Sequence, residues 1–129
     1  VKVTTFLMFA GRAEEAMNAY VALFRDARVV SIERFAEGEA GKAGSVKRAV
    51  MRLGGTDYMC FDSPVQHAFT FTPAISLFVD FDSREHLDRV YAALSDGGKV
   101  MMPPGAYGFS TWFAWLEDRF GVSWQLNLP

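Results

Sequence analysis

The chain has 129 residues, 50% of them hydrophobic and 22% charged, with 13 Lys plus Arg against 15 Asp plus Glu. That length suits one compact domain and excludes disorder, while a formal charge of −2 with scattered basic residues offers no surface to track phosphates, so nucleic acid is not expected as a partner. Cys60 is the only cysteine, which excludes an intrachain disulfide and a thiolate zinc cluster and fits a reducing cytoplasm.

Val3 to Phe9 is a short apolar run bounded by Gly11 and reads as a strand buried on both sides. With the charged residues that follow at once, the stretch is too short for a membrane span and lacks the cleavage region of a signal peptide, so a soluble, unexported protein with no membrane partner is expected. Ala13, Ala16, Met17, Tyr20, Leu23 and Phe24 recur at three and four, which predicts an amphipathic helix from about Arg12 to Phe24. Arg28 to Phe35 and Val46 to Leu53 read as strands. The glycine-rich stretch Ala36 to Ser45 between them has the composition of a mobile loop. Gly54 and Gly55 signal a hairpin, with Thr56 to Phe61 as the returning strand.

After a crossing segment with Pro64 and Pro73 the order begins again. Ala74 to Phe81 reads as a strand, and Asp82 or Ser83 can cap a helix, with Glu85 three residues after Asp82 as in a capping box. Leu87, Val90, Tyr91 and Leu94 form its apolar stripe, and Gly97 with Gly98 ends it. Lys99 to Met102, Phe109 to Leu116 and Val122 to Leu128 are three more strands. A shift of about 70 residues lays Leu7 on Leu77, Glu15 on Glu85, Met17 on Leu87 and Ala22 on Ala92, the mark of an internal duplication.

The predicted fold is therefore α+β: two βαβββ modules with curved mixed sheets and helices on the outer faces. Module one spans 1–63, the crossing segment 64–72 and module two 73–129, within a single domain. Two such sheets, in one chain or across a dimer, can enclose a cavity, and an aromatic share of 15% suits both a covered sheet and a lined pocket.

The arrangement and the segments TTFLMFAGRAEEAMNAY (4–20), FDSPVQHAFTFTPAIS (61–76), MPPGAYGFS (102–110) and DRFGVSWQL (118–126) resemble the vicinal oxygen chelate superfamily, in particular its PhnB-like branch. Sequences of that branch are often labelled demethylubiquinone methyltransferase; glyoxalases, extradiol dioxygenases and bleomycin-resistance proteins are similar in fold and commonly dimeric. The resemblance implies paired βαβββ modules and a homodimer. In catalytic members it implies a divalent metal held by His, Glu or Gln on the first and last strands of each module.

The corresponding positions here fall near Thr4 or Thr5, near Met59, near Ala74 or Ile75, and at Gln125, so one plausible ligand stands where four are needed. No metal and no cofactor are expected. His67, in the crossing segment after Asp62 and Ser63, reads first as a hydrogen-bonded loop histidine that orders the crossing, and second as a candidate base or oxygen-binding group. His86 is expected to face solvent, and Cys60 to be a packed, inert thiol. A glycine-rich turn opening a doubly wound sheet, which S-adenosylmethionine binding usually needs, is not found: Gly11 stands alone.

In the strand 109–116, Phe109, Thr111, Phe113 and Trp115 share one face while Ser110, Trp112 and Ala114 share the other; parity does not say which face lines a cavity. The reading is a homodimeric, cytoplasmic binder of a small apolar or partly polar molecule, with Phe6, Met8, Met59, Ser76, Phe78 and Gln125 as wall residues. A glyoxalase- or dioxygenase-type metal enzyme, or a metal-free enzyme using His67, is the alternative.

Overall fold

In the computed structural model, which describes residues 1–129, the elements run β1 (Thr5–Phe9), α1 (Ala13–Val21), β2 (Arg28–Arg34), β3 (Val46–Leu53), β4 (Thr56–Asp62), β5 (Ser76–Asp80), α2 (Arg84–Ser95), β6 (Lys99–Gly105), β7 (Trp112–Glu117) and β8 (Ser123–Leu128). They form two mixed four-stranded sheets, in the orders β1-β4-β3-β2 and β5-β8-β7-β6, so the α+β fold of two βαβββ modules is observed. The chain divides into one unit from Val1 to Ala68 and another from Phe69 to Pro129. No helix is long and apolar enough to cross a membrane.

In the first unit β1 runs parallel to β4, and β3 is antiparallel to both of its neighbours. A parallel pair needs a crossover, which here includes α1. The helix buries Ala13, Ala16, Met17 and Tyr20, and the buried apolar sheet residues include Leu7, Phe9, Val46, Ala49, Met51, Leu53 and Cys60. Arg12 at its N-cap makes no side-chain cap bond. Instead the buried Asp62 at the end of β4 accepts the N–H groups of Gly11 and Ala13 on Oδ1 and that of Val46 on Oδ2, each at 2.9 Å. One carboxylate thus meets orphan donors at a helix start and at a strand start. Gly54 and Gly55, at φ 57° and 80°, make the two-residue turn that joins β3 to β4.

The second unit repeats the plan. Leu87, Val90 and Leu94 of α2 are buried, as are Ala114, Leu116, Trp124 and Leu126 of the sheet. The indole N–H of Trp112 donates to Asp88 on α2 at 3.0 Å, which fixes the helix side of β7. Asp118, also buried, accepts the N–H groups of Phe120 and Val122 on Oδ1 and the Trp124 indole on Oδ2, closing the turn between β7 and β8.

Several local readings are corrected. The helix cap is Ser83, whose hydroxyl accepts the His86 N–H at 3.2 Å, so the residue three beyond the cap is His86 and the Asp82 to Glu85 capping box does not form. His86 does not simply face solvent: its ring meets Phe81 edge-on at 5.0 Å. Strand β6 continues through Pro103 and Pro104, as an edge strand with an irregular register can, because a proline there need not donate to the ladder. The glycine-rich stretch after β2 is tied down: Phe35 exchanges backbone bonds with Gly44 and Ser45, and Gly41 lies so close to the Phe35 ring that a Cβ would fall 2.3 Å from it. Helix α1 ends at Val21, short of Phe24.

The duplication is real in order, but its offset drifts. Leu7 pairs with Cys60 as Val79 pairs with Leu126, so the counterpart of Leu7 is Val79, in place of Leu77. The helices keep the expected offset, with Met17 and Leu87 both buried.

Candidate functional site

Each sheet has one face under its own helix and one turned away from it. Where the register is regular, alternation along the strands, anchored by the buried residues above, sorts the positions between the two.

On the helix-free face of the first unit, Phe6 stands beside Met59, which stands beside Val50, and Met8 stands beside Phe61. Phe6 and Phe61 stack with ring centroids 4.9 Å apart, and Phe6 is 51% exposed. The predicted wall residues Phe6, Met8 and Met59 are thus brought together, on an apolar surface. Charge gathers toward the hairpin end, where Arg52 and Asp57 form a two-bonded ion pair at 2.7 and 3.2 Å. The guanidinium, with Lys2 and Arg28 nearby, holds the Asp57 carboxyl below its ordinary range. An open depression of about 530 Å³ lies there, lined by Lys2, Thr4, Arg52, Thr56 and Asp57 among others, and holds none of the predicted wall residues.

The helix-free face of the second unit is more polar. The sheet register sets Phe78, Gln125, Trp115 and Met102 in one row across the four strands, with Ser76, Ser123 and Glu117 in the next. Ser76, Phe78 and Gln125, all predicted, therefore meet. The structure also supplies what parity left open: Phe113 and Trp115 lie on this face, and Trp112, Ala114 and Leu116 on the helix side. Hydrogen bonds link the polar members. The Trp115 indole donates to Ser123 Oγ at 2.9 Å, Ser123 Oγ and Ser76 Oγ are 2.7 Å apart, and Gln125 Nε2 donates to Ser76 Oγ at 3.2 Å. Asn127 donates to Asp80 at 2.8 Å. Phe113 is packed by Phe109 at 4.9 Å, Tyr107 at 6.2 Å and Phe78 at 6.4 Å. Phe78 itself is 57% exposed.

Ser123 and Trp115 were not predicted as polar partners. The signal was present, since Ser123 and Gln125 are two apart on one strand and so share a face, but the partner strand's register was needed to bring Trp115 to them.

The remaining candidates lie elsewhere. His67 is exposed, with Nε2 3.1 Å from the Ser63 hydroxyl, so it sits in a local turn. Cys60 is on the helix side of β4 and buried; burial, and then the neighbouring Asp62 charge, push its thiol up to about 12, which leaves it no nucleophile at neutral pH.

A divalent cation wants several hard donors converging on one point. Neither Phe6 with Met59 in the first unit nor Phe78 with Gln125 in the second makes such a set, and the Gln125 amide is already engaged with Ser76. No group of three or more His, Cys, Asp or Glu side chains gathers where it could hold a metal ion. These residues do not fit the metal site of catalytic relatives.

Residues 1–127 match the family described as 3-demethylubiquinone-9 3-methyltransferase. No curated protein matches the chain. Among solved structures, the PhnB protein from Bacillus cereus is 51% identical, with 100% of each chain covered and a TM-score of 0.97. Protein PA1353 from Pseudomonas aeruginosa is 25% identical over 99% of this chain and 97% of its own, with a TM-score of 0.85. The fosfomycin resistance protein FosX from Mesorhizobium loti, 12% identical over 99% and 92% with a TM-score of 0.65, shares the fold alone.

Proposed function

We propose that this chain, which belongs to the 3-demethylubiquinone-9 3-methyltransferase family and has the PhnB-like fold of the vicinal oxygen chelate superfamily, is a small-molecule-binding protein that uses no metal. The observation that carries this reading is Gln125, half-exposed, hydrogen-bonded to Ser76 and placed in register beside the exposed ring of Phe78. A few polar groups set among apolar walls are what small-ligand sites are made of. Phe6, Met8 and Met59 make a separate apolar surface on the helix-free face of the first unit.

The reading includes a cytoplasmic homodimer. The support for the homodimer is the exposure of Phe6, a large ring on the first unit that a second copy would shield; sedimentation equilibrium tests it. Methyl transfer is left out because mixed sheets of this order lack the doubly wound parallel strands and glycine-rich turn that hold S-adenosylmethionine in the usual way.

The test is a thermal-shift screen of uncharged and charged small molecules on the unaltered protein and on Gln125→Ala. Ligands of the proposed site raise the melting temperature of the first and not of the second. Hits that stabilise both alike would refute the assignment of Gln125.

A further inference from the structure

We infer that the helix-free face of the second unit is built to take a neutral carboxamide carried on a flat apolar body. This rests on the proposed small-molecule site and names the chemistry of its ligand.

The argument is an accounting of protons. Ser123 is 1% exposed, so its hydroxyl proton must be spent inside the protein. Of its two polar neighbours, the Trp115 indole only donates, which leaves Ser76 Oγ, 2.7 Å away, as the acceptor. Ser76 Oγ therefore accepts from Ser123 and, at 3.2 Å, from Gln125 Nε2. Both of its lone pairs are used, and its own proton has no acceptor in this chain of bonds. Ser76 is half-exposed, and that proton is available on the face. Gln125 likewise retains Oε1 and one N–H.

The face thus offers two donors and one acceptor on adjoining side chains. A carboxamide answers all of them with one planar group: its carbonyl oxygen, with two lone pairs, accepts from Ser76 and from Gln125, and its N–H donates to Gln125 Oε1. The rings of Phe78 and Trp115, on either side of Gln125 in the same row, suit a flat apolar body.

Charge excludes the near relative of that ligand. Strands β5, β7 and β8 hold no Lys, Arg or His, and their charged residues are Asp80 and Glu117. Lys99, on the edge strand, stands opposite Glu117 in register. A carboxylate would bring negative charge to a face whose lysine already stands opposite Glu117, and would set an oxygen against Gln125 Oε1 with no proton between them.

The experiment titrates 2-naphthamide and 2-naphthoate, matched in shape, into the full chain at neutral pH, followed by proton–nitrogen correlation spectra of the Trp115 indole and the Gln125 side-chain amide. Naphthamide is expected to shift both signals and naphthoate to bind at least about tenfold more weakly, the scale of one charge-opposed hydrogen bond. Gln125→Glu, which keeps the shape and adds a charge, should weaken naphthamide by a similar factor, and Phe78→Ala gives a second variant on an exposed position. Equal or tighter binding of naphthoate overturns the ligand class. If compounds from the thermal-shift screen still depend on Gln125 in that case, the site stands and only its chemistry is wrong. If neither probe moves either signal and the screen yields no Gln125-dependent compound, both readings fall together.

Discussion

A double-mutant cycle on Ser76 and Ser123 tests the direction of the proton between them. Ser76→Ala removes the only acceptor near the buried Ser123 hydroxyl, leaving a donor unsatisfied where water does not reach; such a group costs about 1–3 kcal/mol. Ser123→Ala takes the acceptor from the part-buried Trp115 indole, and costs roughly 1–2 kcal/mol. In the double variant the stranded proton no longer exists, so its stability should be close to that of Ser123→Ala alone. The summed single effects should then exceed the double effect by about 1–3 kcal/mol, well beyond the roughly 0.5 kcal/mol within which independent sites add. Urea denaturation of the four proteins, with unchanged denaturant slopes, measures it. Additive effects would mean that the Ser123 proton does not go to Ser76. Ser76 would then have no donor left for a ligand, and the carboxamide inference would lose one of its three contacts.

Four further outcomes follow from three other positions. The Cys60 thiol, raised from 9.0 to about 12, has about a thousandfold less thiolate at pH 8 than an ordinary one, so a disulfide reagent should modify the native protein at least that much more slowly than the unfolded chain; comparable rates would contradict the packing described. A raised thiol pKa adds stability that is complete below pH 9 and is lost as the pH climbs toward about 12, and Cys60→Ala should flatten that part of the stability profile. Asp62→Asn sets an amide N–H against one of three backbone N–H groups and should cost about 2–4 kcal/mol in chemical denaturation, whereas a change under about 0.5 kcal/mol would show that those bonds are dispensable. Gly98→Ala puts a Cβ 2.2 Å from the carbonyl oxygen of Glu117 and should lower stability by more than about 2 kcal/mol, while an unchanged melting temperature would place that turn elsewhere.

The elements that sequence periodicity located best are those whose period is set by burial on one side. Val46–Leu53 is recovered to the residue, because its buried positions repeat and two glycines of positive φ close it. The prediction failed where tertiary position overrides local chemistry. Proline marked the end of β6 in the sequence, yet at a sheet edge it did not have to end the strand. Asp82 and Ser83 were equal as caps until the backbone chose one.

The site was legible in the same uneven way. Phe6 with Met8 and Met59, and Ser76 with Phe78 and Gln125, follow from alternation once the strands are placed, because residues two apart on a strand share a face. What alternation cannot give is register, and register decides which neighbours become bonded. The offset between the halves changes from Phe6 and Phe78 to Met59 and Gln125, so a single shift of the sequence on itself pairs the wrong first-strand residues. With the observed pairing, each module places the same two positions side by side and fills them differently: Phe6 with Met59 in one, Phe78 with Gln125 in the other. Ser76 and Ser123 then surround only the second pair with hydroxyls. The modules share a backbone plan while one helix-free face has become apolar and the other hydrogen-bonding. A ligand that discriminates between uncharged and charged compounds should therefore be read by Gln125 and its neighbours.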